Sequence, residues 1–588
     1  MEKKLILLNV PFISKHNPYP AIPQLAEYLS KKGIEIEVCD INFELWKRFL
    51  NEENYMAGVE YSRERFLQLN SKPFLTFKEC VEYRRLSLLL SNKIPDYNSA
   101  PEELKIALSQ LKFFPNFYIG GPIKKLCSPF SEFSSKDILE SVDFDFFYCP
   151  IIKRILAEKI IDSPLLIGIS VIFKNQVLPG FFIAKVLKEL FPKTHITMGG
   201  PYISLHFREL SNPNIFKIVD SFILDEGEIP LETLYKILKN GKSNYKEVPN
   251  LIWFNGKKIV KNKICPTLPL NSLTKPYYEV LPFKEYKKSG KVVFSLRLSK
   301  GCFWRRCSFC RTTMYFCKDY YQPDFNSVFD VIYEIYKKYK PDCFLFSDEA
   351  VHPDLLKFIS KNIIKYKLNF KWFTHTRFHP KLNRELFSLM KDANCEHITL
   401  GMESYSNRIL RLMKKGINTQ LIDRVITENN GIINLKVYMI IGFPTETEEE
   451  AINSFNYVNS LKKKGLLTEY IYSIFNIVYG CDIWNNPENY GVTTFKTLPG
   501  EDLAPDIFNF ECKSGMDRKK VTDLYSKFYL LNFIQGQIKK NTVYIDSKEI
   551  NLNFPIPSVN QIILKNLFGA NYLPYVKWLE SVEEKLTK

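Results

Sequence analysis

The sequence lacks an apolar run long enough to cross a bilayer. The run LLIGISVIF at 165–173 ends at a lysine, well short of the roughly 20 apolar residues that a membrane-spanning helix needs. The opening MEKKLILLNVPF starts with basic residues, but its apolar run stops at Pro11 without a small-residue cleavage site. We therefore predict no transmembrane helix, interpret the opening segment as a first strand rather than a signal peptide, and expect a cytoplasmic protein.

The sequence also lacks a concentrated basic stripe, although its formal net charge is +17. A basic patch must be clustered to bind a phosphate backbone, so we do not expect a nucleic acid as the partner. The 13 cysteines, in a sequence that reads as cytosolic, favour thiols or metal ligands over a disulfide framework. The length of 588 residues predicts several domains.

Strand and helix signals alternate in the first half of the chain. LILLNVPF, IPQLAEYLSKKG and IEIEVCDIN predict strand, helix and strand, and the alternation resumes at LLIGISVI after a mainly helical insertion at about 46–160. Such alternation predicts an α/β domain over 1–270 with a doubly wound parallel sheet, whose ligand lies beyond the carboxyl ends of the strands. The residues predicted at those ends are Ser170, Gly199, Gly200, Glu226 and Gly227.

The second half of the chain repeats this pattern. Strand signals such as VFSLRLSKG, CFLFSDEA, HITLGMES and LKVYMIIGFP alternate with helices over 285–485, which predicts a complete or partial (β/α) barrel. We interpret the short strands and turns at 249–290 as a linker between the two domains. The region 486–588 is predicted to be mostly helical and, with 46–160, to shape a substrate pocket.

Three cysteines lie close together in the segment LSKGCFWRRCSFCRTT, directly after a predicted strand. Cys302, Cys307 and Cys310 can ligate three irons of a cubane cluster and leave the fourth iron open for a ligand. The alternative is a structural zinc site in which Cys317 supplies a fourth thiolate. A redox-active Cys-x2-Cys dithiol is a further alternative, but it would leave the third cysteine without a role.

These residues resemble the radical S-adenosylmethionine (SAM) superfamily, whose usual signature is Cys-x3-Cys-x2-Cys with an aromatic residue before the last cysteine. Here the first gap has four residues, a variant associated with the branch that also carries a cobalamin domain, and Phe309 fills the aromatic position. The segments FLFSDEAV, GMESYSNRILRLMKKG and IIGFPTETEEE are similar to later strands of that family in order and spacing. In the last of these, Thr445 stands where the family usually has glycine.

The resemblance implies a [4Fe-4S] cluster on the three cysteines and a nearby site for SAM. It places Glu403 and Ser404 against the ribose and methionine parts of SAM, and Gly442 and Pro444 against the adenine. Asp348 and Glu349 are expected at a strand end that faces the same cavity. For the four polar residues of this set, the alternative is an ordinary salt bridge or helix cap.

The first domain is similar to the cobalamin-binding domain of one large radical SAM class. None of the seven histidines lies in an Asp-x-His-x2-Gly motif, so the resemblance implies a cobalamin without a protein histidine ligand. The expected activity is methylation of an unactivated carbon in a peptide or secondary metabolite, with an electron donor such as flavodoxin or ferredoxin. The alternatives are a radical oxidation, cyclisation or ring contraction without methyl transfer, and a non-catalytic cobalamin or redox sensor.

Overall fold

The computed structural model divides the chain into two compact units. The first comprises 1–45 and 128–521, and the second comprises 46–127 and 522–588. The structure describes residues 4–13, 18–111, 130–266, 268, 276–288, 290–311, 320–322, 324–496, 500–504, 509–534, 542–545, 548–554 and 556–577.

The first unit begins with a seven-stranded sheet. Its strands in spatial order are β2-β1-β3-β4-β5-β6-β7, and the first five are parallel. The strands are β1 (Leu5–Asn9), β2 (Ile36–Asp40), β3 (Leu166–Ser170), β4 (His195–Gly199), β5 (Ser221–Ile223), β6 (Leu251–Phe254) and β7 (Ile259–Lys261). The helices along this part of the chain are Ala21–Lys31, Ile41–Phe49, Ser135–Ser141, Cys149–Lys159, Val177–Leu190, Pro201–His206 and Glu228–Lys239.

The helix Ala21–Lys31 shows why this sheet forms. Its buried residues Ile22, Ala26 and Leu29 recur at helical spacing and pack in one cluster with Leu5 and Leu7 of β1. Because β1 is buried along its whole length, it needs a helix against its apolar side chains. The predicted doubly wound α/β class is confirmed.

The segment 249–263 differs from the predicted linker. β6 and β7 form an antiparallel hairpin that extends the first sheet beyond β5. Residues 255–258 connect the two strands, and the Asn255 backbone N–H donates to the Lys258 carbonyl at 3.2 Å while the Asn255 side chain accepts the backbone N–H of Lys258 at 2.9 Å. Gly256 supplies the positive φ of +86° that this tight connection requires, so the segment belongs to the sheet rather than to a linker.

The second sheet has six parallel strands that neighbour each other in chain order from β8 to β13. They are β8 (Val293–Leu296), β9 (Cys343–Phe346), β10 (Lys371–Arg377), β11 (Cys395–Glu403), β12 (Asn434–Ile441) and β13 (Glu469–Ile474). The helices of this part are Phe283–Lys288, Phe325–Tyr339, Pro353–Lys365, Arg384–Asp392, Asn407–Leu412, Thr419–Asn429, Glu448–Lys463 and Asp482–Asn485. This is a partial barrel, with six strands where a complete one has eight.

The second unit is mainly helical and is assembled from two distant stretches of chain. Its helices are Glu52–Asn70, Phe77–Leu90, Glu102–Leu111 and Ile556–Phe568, with most of the helix Arg518–Ile534. Arg84 Nη2 donates to the Ile534 carbonyl at 2.7 Å, and the Asn70 side chain accepts the N–H of Asn553 at 2.8 Å. The two stretches are therefore joined by buried polar contacts.

The region 486–588 contains two short hairpins besides its helices. β14 (Val492–Lys496) pairs with β15 (Asn509–Cys512), and β16 (Thr542–Ile545) pairs with β17 (Lys548–Asn551). The sequence pattern missed both hairpins. Within the described part of the chain, no helix is both long enough and apolar enough to span a membrane.

Candidate functional site

The three predicted cluster ligands lie in one loop that follows β8. Cys302, Cys307 and Cys310 are half-buried free thiols, and the backbone N–H of Cys310 donates to the Cys307 carbonyl at 3.2 Å. Among the described residues, no three His, Cys, Asp or Glu side chains are grouped closely enough to hold a single metal ion. Cys317, the fourth ligand of the zinc alternative, lies outside the described residues.

The loop is fixed by hydrogen bonds to the segment after the helix Asn407–Leu412. Ser308 donates from its backbone N–H to Met413 O at 3.0 Å and from its hydroxyl to Leu412 O at 3.0 Å. Trp304 Nε1 donates to Lys414 O at 2.8 Å. Since the last carbonyls of a helix have no partner within the helix, they are ready acceptors for a neighbouring loop.

Asp348 anchors the start of the same loop. Its carboxylate accepts the backbone N–H of Leu298 at 2.9 Å, and both the N–H and the hydroxyl of Ser299 at 2.5 Å. Burial raises the pKa of Asp348 to about 6, against these hydrogen bonds, which lower it. Asp348 therefore positions the backbone at the end of β8.

Glu349 follows Asp348 in the chain but contacts a different residue of the segment after β8. Its Oε1 lies 3.7 Å from Arg297 Nη2, and its Oε2 is buried without a hydrogen-bond partner among the described residues. A buried carboxylate oxygen without a partner is costly, and it marks a position suited to a donor from a ligand.

Glu403 is the last residue of β11 and Ser404 follows it, and both are buried. Lys415 Nζ lies 2.7 Å from Glu403 Oε1. Glu403 has φ +67°, a strained conformation for this residue type. The Ser404 hydroxyl lies 3.4 Å from that of Ser454. Phe309 of the cluster loop also belongs to this region, because Lys415 Nζ is 5.8 Å from its ring centroid.

The predicted adenine turn, Gly442 to Glu446, follows β12. Its backbone is held from inside, because Gly442 N donates to Glu446 Oε2 at 2.6 Å. The next residue after Pro444, Thr445, has φ +66°. Arg408 holds it, donating from Nη1 to Thr445 Oγ1 at 3.0 Å and from Nη2 to Thr445 O at 2.8 Å.

The Arg408 contact predicts a measurable coupling with Thr445. A β-branched residue at positive φ costs on the order of 1 kcal/mol, and the Arg408 contacts offset this cost. Arg408→Ala should therefore lower the thermal stability more in the wild-type protein than in a Thr445→Gly background, with a coupling free energy of about 1 kcal/mol. The four proteins are wild type, the two single variants and the double variant. If their losses of stability are additive, Arg408 does not stabilise the conformation of Thr445.

Glu446 predicts a pH dependence of stability. Burial raises its pKa from 4.5 to about 8, so the folded protein keeps this carboxyl protonated at neutral pH. Its contribution to stability is present below pH 4.5 and is lost as the pH rises towards 8. Glu446→Gln should remove this loss and raise the free energy of unfolding at pH 8 by about 1–3 kcal/mol. The exposed Glu449→Gln is the control, and equal pH profiles of unfolding for Glu446→Gln and wild type would refute the prediction.

A cavity of about 510 Å³ lies at the carboxyl ends of the first sheet. All five residues predicted there line it, namely Ser170, Gly199, Gly200, Glu226 and Gly227. Gly200 has φ +104°, and a Cβ there would stand 2.6 Å from the Val171 carbonyl oxygen. The backbone at Gly200 can therefore take this path only without a side chain.

The same cavity is lined by the end of β8 and the start of the cluster loop. Leu296, Arg297, Leu298 and Lys300 contribute to its wall. Lys300 is buried, forms an ion pair with Glu226, and donates to the Leu268 carbonyl at 2.7 Å. Lys300 was not predicted as a site residue, although it stands two positions before Cys302 in LSKGC.

A second carboxylate of this wall, Glu228, is also buried. Burial, with Glu226 nearby, raises the pKa of Glu228 to about 7. Its Oε1 accepts a long hydrogen bond from Gln24 Nε2 at 3.5 Å. The cavity therefore offers carboxyl oxygens that can accept hydrogen bonds from a ligand rich in N–H groups.

Residues 296–458 match the family model described as the radical SAM superfamily. The matched span begins at the end of β8 and includes the cluster loop, Glu403 and the Gly442 turn. Residues 296–458 form a radical SAM domain.

About half of the chain is similar to two curated methyltransferases. It is 26% identical over 310 residues to an uncharacterized methyltransferase of Pyrococcus horikoshii, covering 51% of this chain and 65% of that protein. It is 23% identical over 338 residues to cytidylyl-2-hydroxyethylphosphonate methyltransferase of Streptomyces wedmorensis, covering 50% of this chain and 62% of that protein. The chain thus spans less than two thirds of each relative.

One solved structure has a similar overall fold. It is the radical S-adenosylmethionine methyltransferase TsrM from Kitasatospora setae, with cobalamin and a [4Fe-4S] cluster bound. The TM-score is 0.56 at 13% identity, with 100% of each chain covered. At this identity the likeness shows a shared overall fold.

Proposed function

We propose that the chain is a cobalamin-dependent radical SAM enzyme that methylates an unactivated carbon of a small molecule or peptide. One observation carries the proposal: a single cavity is lined both by the predicted cobalamin-side residues and by Arg297, Leu298 and Lys300 of the cluster loop. A methyl donor in the first domain and a radical generated at the cluster would then act on one substrate between them.

The residues fit the groups that this chemistry needs. Three free thiols share one loop, as a cubane cluster with one open iron requires. Gly199 and Gly200 line the cavity, so their backbone groups are placed to contact a bulky ring system. Glu226 and Glu228 can accept the amide N–H groups that surround a corrin ring.

When bound, the cluster with SAM supplies a radical that abstracts hydrogen, and cobalamin supplies the methyl group. The protein's part is to hold these groups and to exclude water. Asp348 and the carbonyls after Leu412 fix the cluster loop, while Glu403, Ser404 and the Gly442 turn would hold SAM. The ion pair of Lys300 with Glu226 ties the loop to the cavity wall.

The test follows the two fates of SAM in anaerobically reconstituted protein. With cob(I)alamin and SAM, but without substrate, the protein should transfer one methyl group to cobalt and release one S-adenosylhomocysteine. With a one-electron reductant such as dithionite, it should also cleave SAM slowly to 5′-deoxyadenosine and methionine. Flavodoxin or ferredoxin should replace dithionite as the donor.

The products distinguish the proposed activity from its two alternatives. Formation of 5′-deoxyadenosine without any S-adenosylhomocysteine would refute methyl transfer and favour radical oxidation or cyclisation. Cobalamin binding without either product would favour the non-catalytic sensor.

A further inference from the structure

The cluster loop rests on four consecutive backbone carbonyls, those of Leu412, Met413, Lys414 and Lys415. The first three accept from Ser308 and Trp304 of the loop, as described above. The fourth, Lys415 O, accepts from Nη2 of Arg377, the last residue of β10. Three of the four carbonyls thus accept from the cluster loop, and the fourth accepts from Arg377.

Arg377 reaches the cluster loop with its second nitrogen. Its Nη1 lies 3.6 Å from the sulfur of Cys307, within hydrogen-bond reach of a sulfur acceptor. The guanidinium also stacks on Trp304, with Cζ 4.8 Å from the ring centroid. The side chain is only 6% exposed. Backbone, ring and sulfur therefore fix the guanidinium from three sides.

Trp304 belongs to the four-residue gap between Cys302 and Cys307. A Cβ on Gly416 would stand 2.0 Å from Trp304 Cζ2, so the ring fits only because residue 416 is glycine. Arg305, next in the gap, has φ +55°. The longer gap thus places an aromatic ring on the carbonyl row and under Arg377.

We infer that Arg377 is a positioning residue that donates a hydrogen bond to the Cys307 sulfur and thereby raises the reduction potential of the cluster. The inference rests on the proposed function, because it requires the cluster on Cys302, Cys307 and Cys310. Reduction adds one electron to the cluster, and a fixed cation that donates to a ligand sulfur stabilises the added negative charge. Hydrogen bonds to the sulfurs are among the features that set such potentials.

The experiment measures the midpoint potential of the reconstituted cluster by anaerobic potentiometry with electron paramagnetic resonance. Arg377→Met should retain the iron, but its cluster should be harder to reduce. At a given potential the ratio of reduced to oxidised cluster should be about tenfold lower, which corresponds to a midpoint potential about 59 mV more negative. Arg377→Lys keeps the charge but cannot bridge Lys415 O and the sulfur, so its potential should fall by a smaller amount. Arg424→Met, on an exposed helix position, removes the same charge and should leave the potential unchanged.

The results separate this inference from the proposal beneath it. A wild-type protein that assembles no cluster would refute the proposed function. If the wild-type protein assembles a cluster and Arg377→Met has the same midpoint potential, the role of Arg377 is refuted while the proposed function stands. A fall in potential in Arg377→Met that is no larger than the fall in Arg424→Met would refute it equally. If Arg377→Met fails to retain iron, Arg377→Lys decides, and a potential equal to that of the wild type would overturn the inference.

Discussion

Alanine at Cys302, Cys307 or Cys310 is expected to abolish the iron–sulfur cluster and reductive SAM cleavage. Each thiolate would ligate one iron, and a cubane with one ligand removed loses its hold on the loop. Iron and sulfide content should fall to background, and 5′-deoxyadenosine should disappear. Transfer of a methyl group from SAM to chemically supplied cob(I)alamin should persist, because this step does not require the open iron.

Two cysteine substitutions serve as matched controls. Cys265→Ser changes a half-buried thiol beyond the first sheet, and Cys317→Ser tests the fourth ligand of the zinc alternative. Both proteins should keep full iron content and SAM cleavage. A Cys317→Ser protein that loses its metal, together with zinc rather than iron in the wild type, would establish the zinc site instead.

Gly200→Ala is expected to weaken cobalamin binding at least tenfold, or about 1.4 kcal/mol, while iron content remains unchanged. The added methyl group would stand 2.6 Å from the Val171 carbonyl oxygen, and this contact is with backbone. The strand end must therefore move, and it forms the cavity wall. Equilibrium dialysis with aquocobalamin, read by its absorbance, measures the change.

Gly256→Ala separates the cavity from general backbone strain. Gly256 has φ +86° in the β6–β7 turn, with no atom within 4 Å of the added methyl position. Both substitutions impose the positive-φ penalty, but only Gly200→Ala distorts the cavity. If the two variants bind cobalamin equally well, the assignment of the cavity is wrong.

The periodicity of the sequence predicted the residues that follow the strands of the first sheet. Ser170 and Gly199 end two parallel strands and Glu226 follows a third. The carboxyl ends of such strands meet at one edge, although the residues lie far apart in the chain. The assignment of these segments as parallel strands is therefore enough to predict that the three residues lie in one cavity.

The charged partners could not be predicted in the same way. Arg377 and Lys415 meet the cluster loop because of strand order and the exact reach of long side chains, which no local pattern encodes. Asp348 was expected to face the cavity, yet its carboxylate is engaged by Leu298 and Ser299. The direction of a side chain at a strand end depends on the donors that the neighbouring strand presents.

The helical unit is interrupted in sequence, and this has a consequence for biosynthesis. Its first stretch ends at residue 127 and its second begins at 522, so the ribosome needs on the order of tens of seconds to complete it. During this time the ring of Tyr83 can already stack on Phe66, but Phe554, whose ring packs 5.6 Å from it in the folded unit, has not yet been synthesised. The helical unit can therefore complete its packing only after the whole radical SAM domain has been translated.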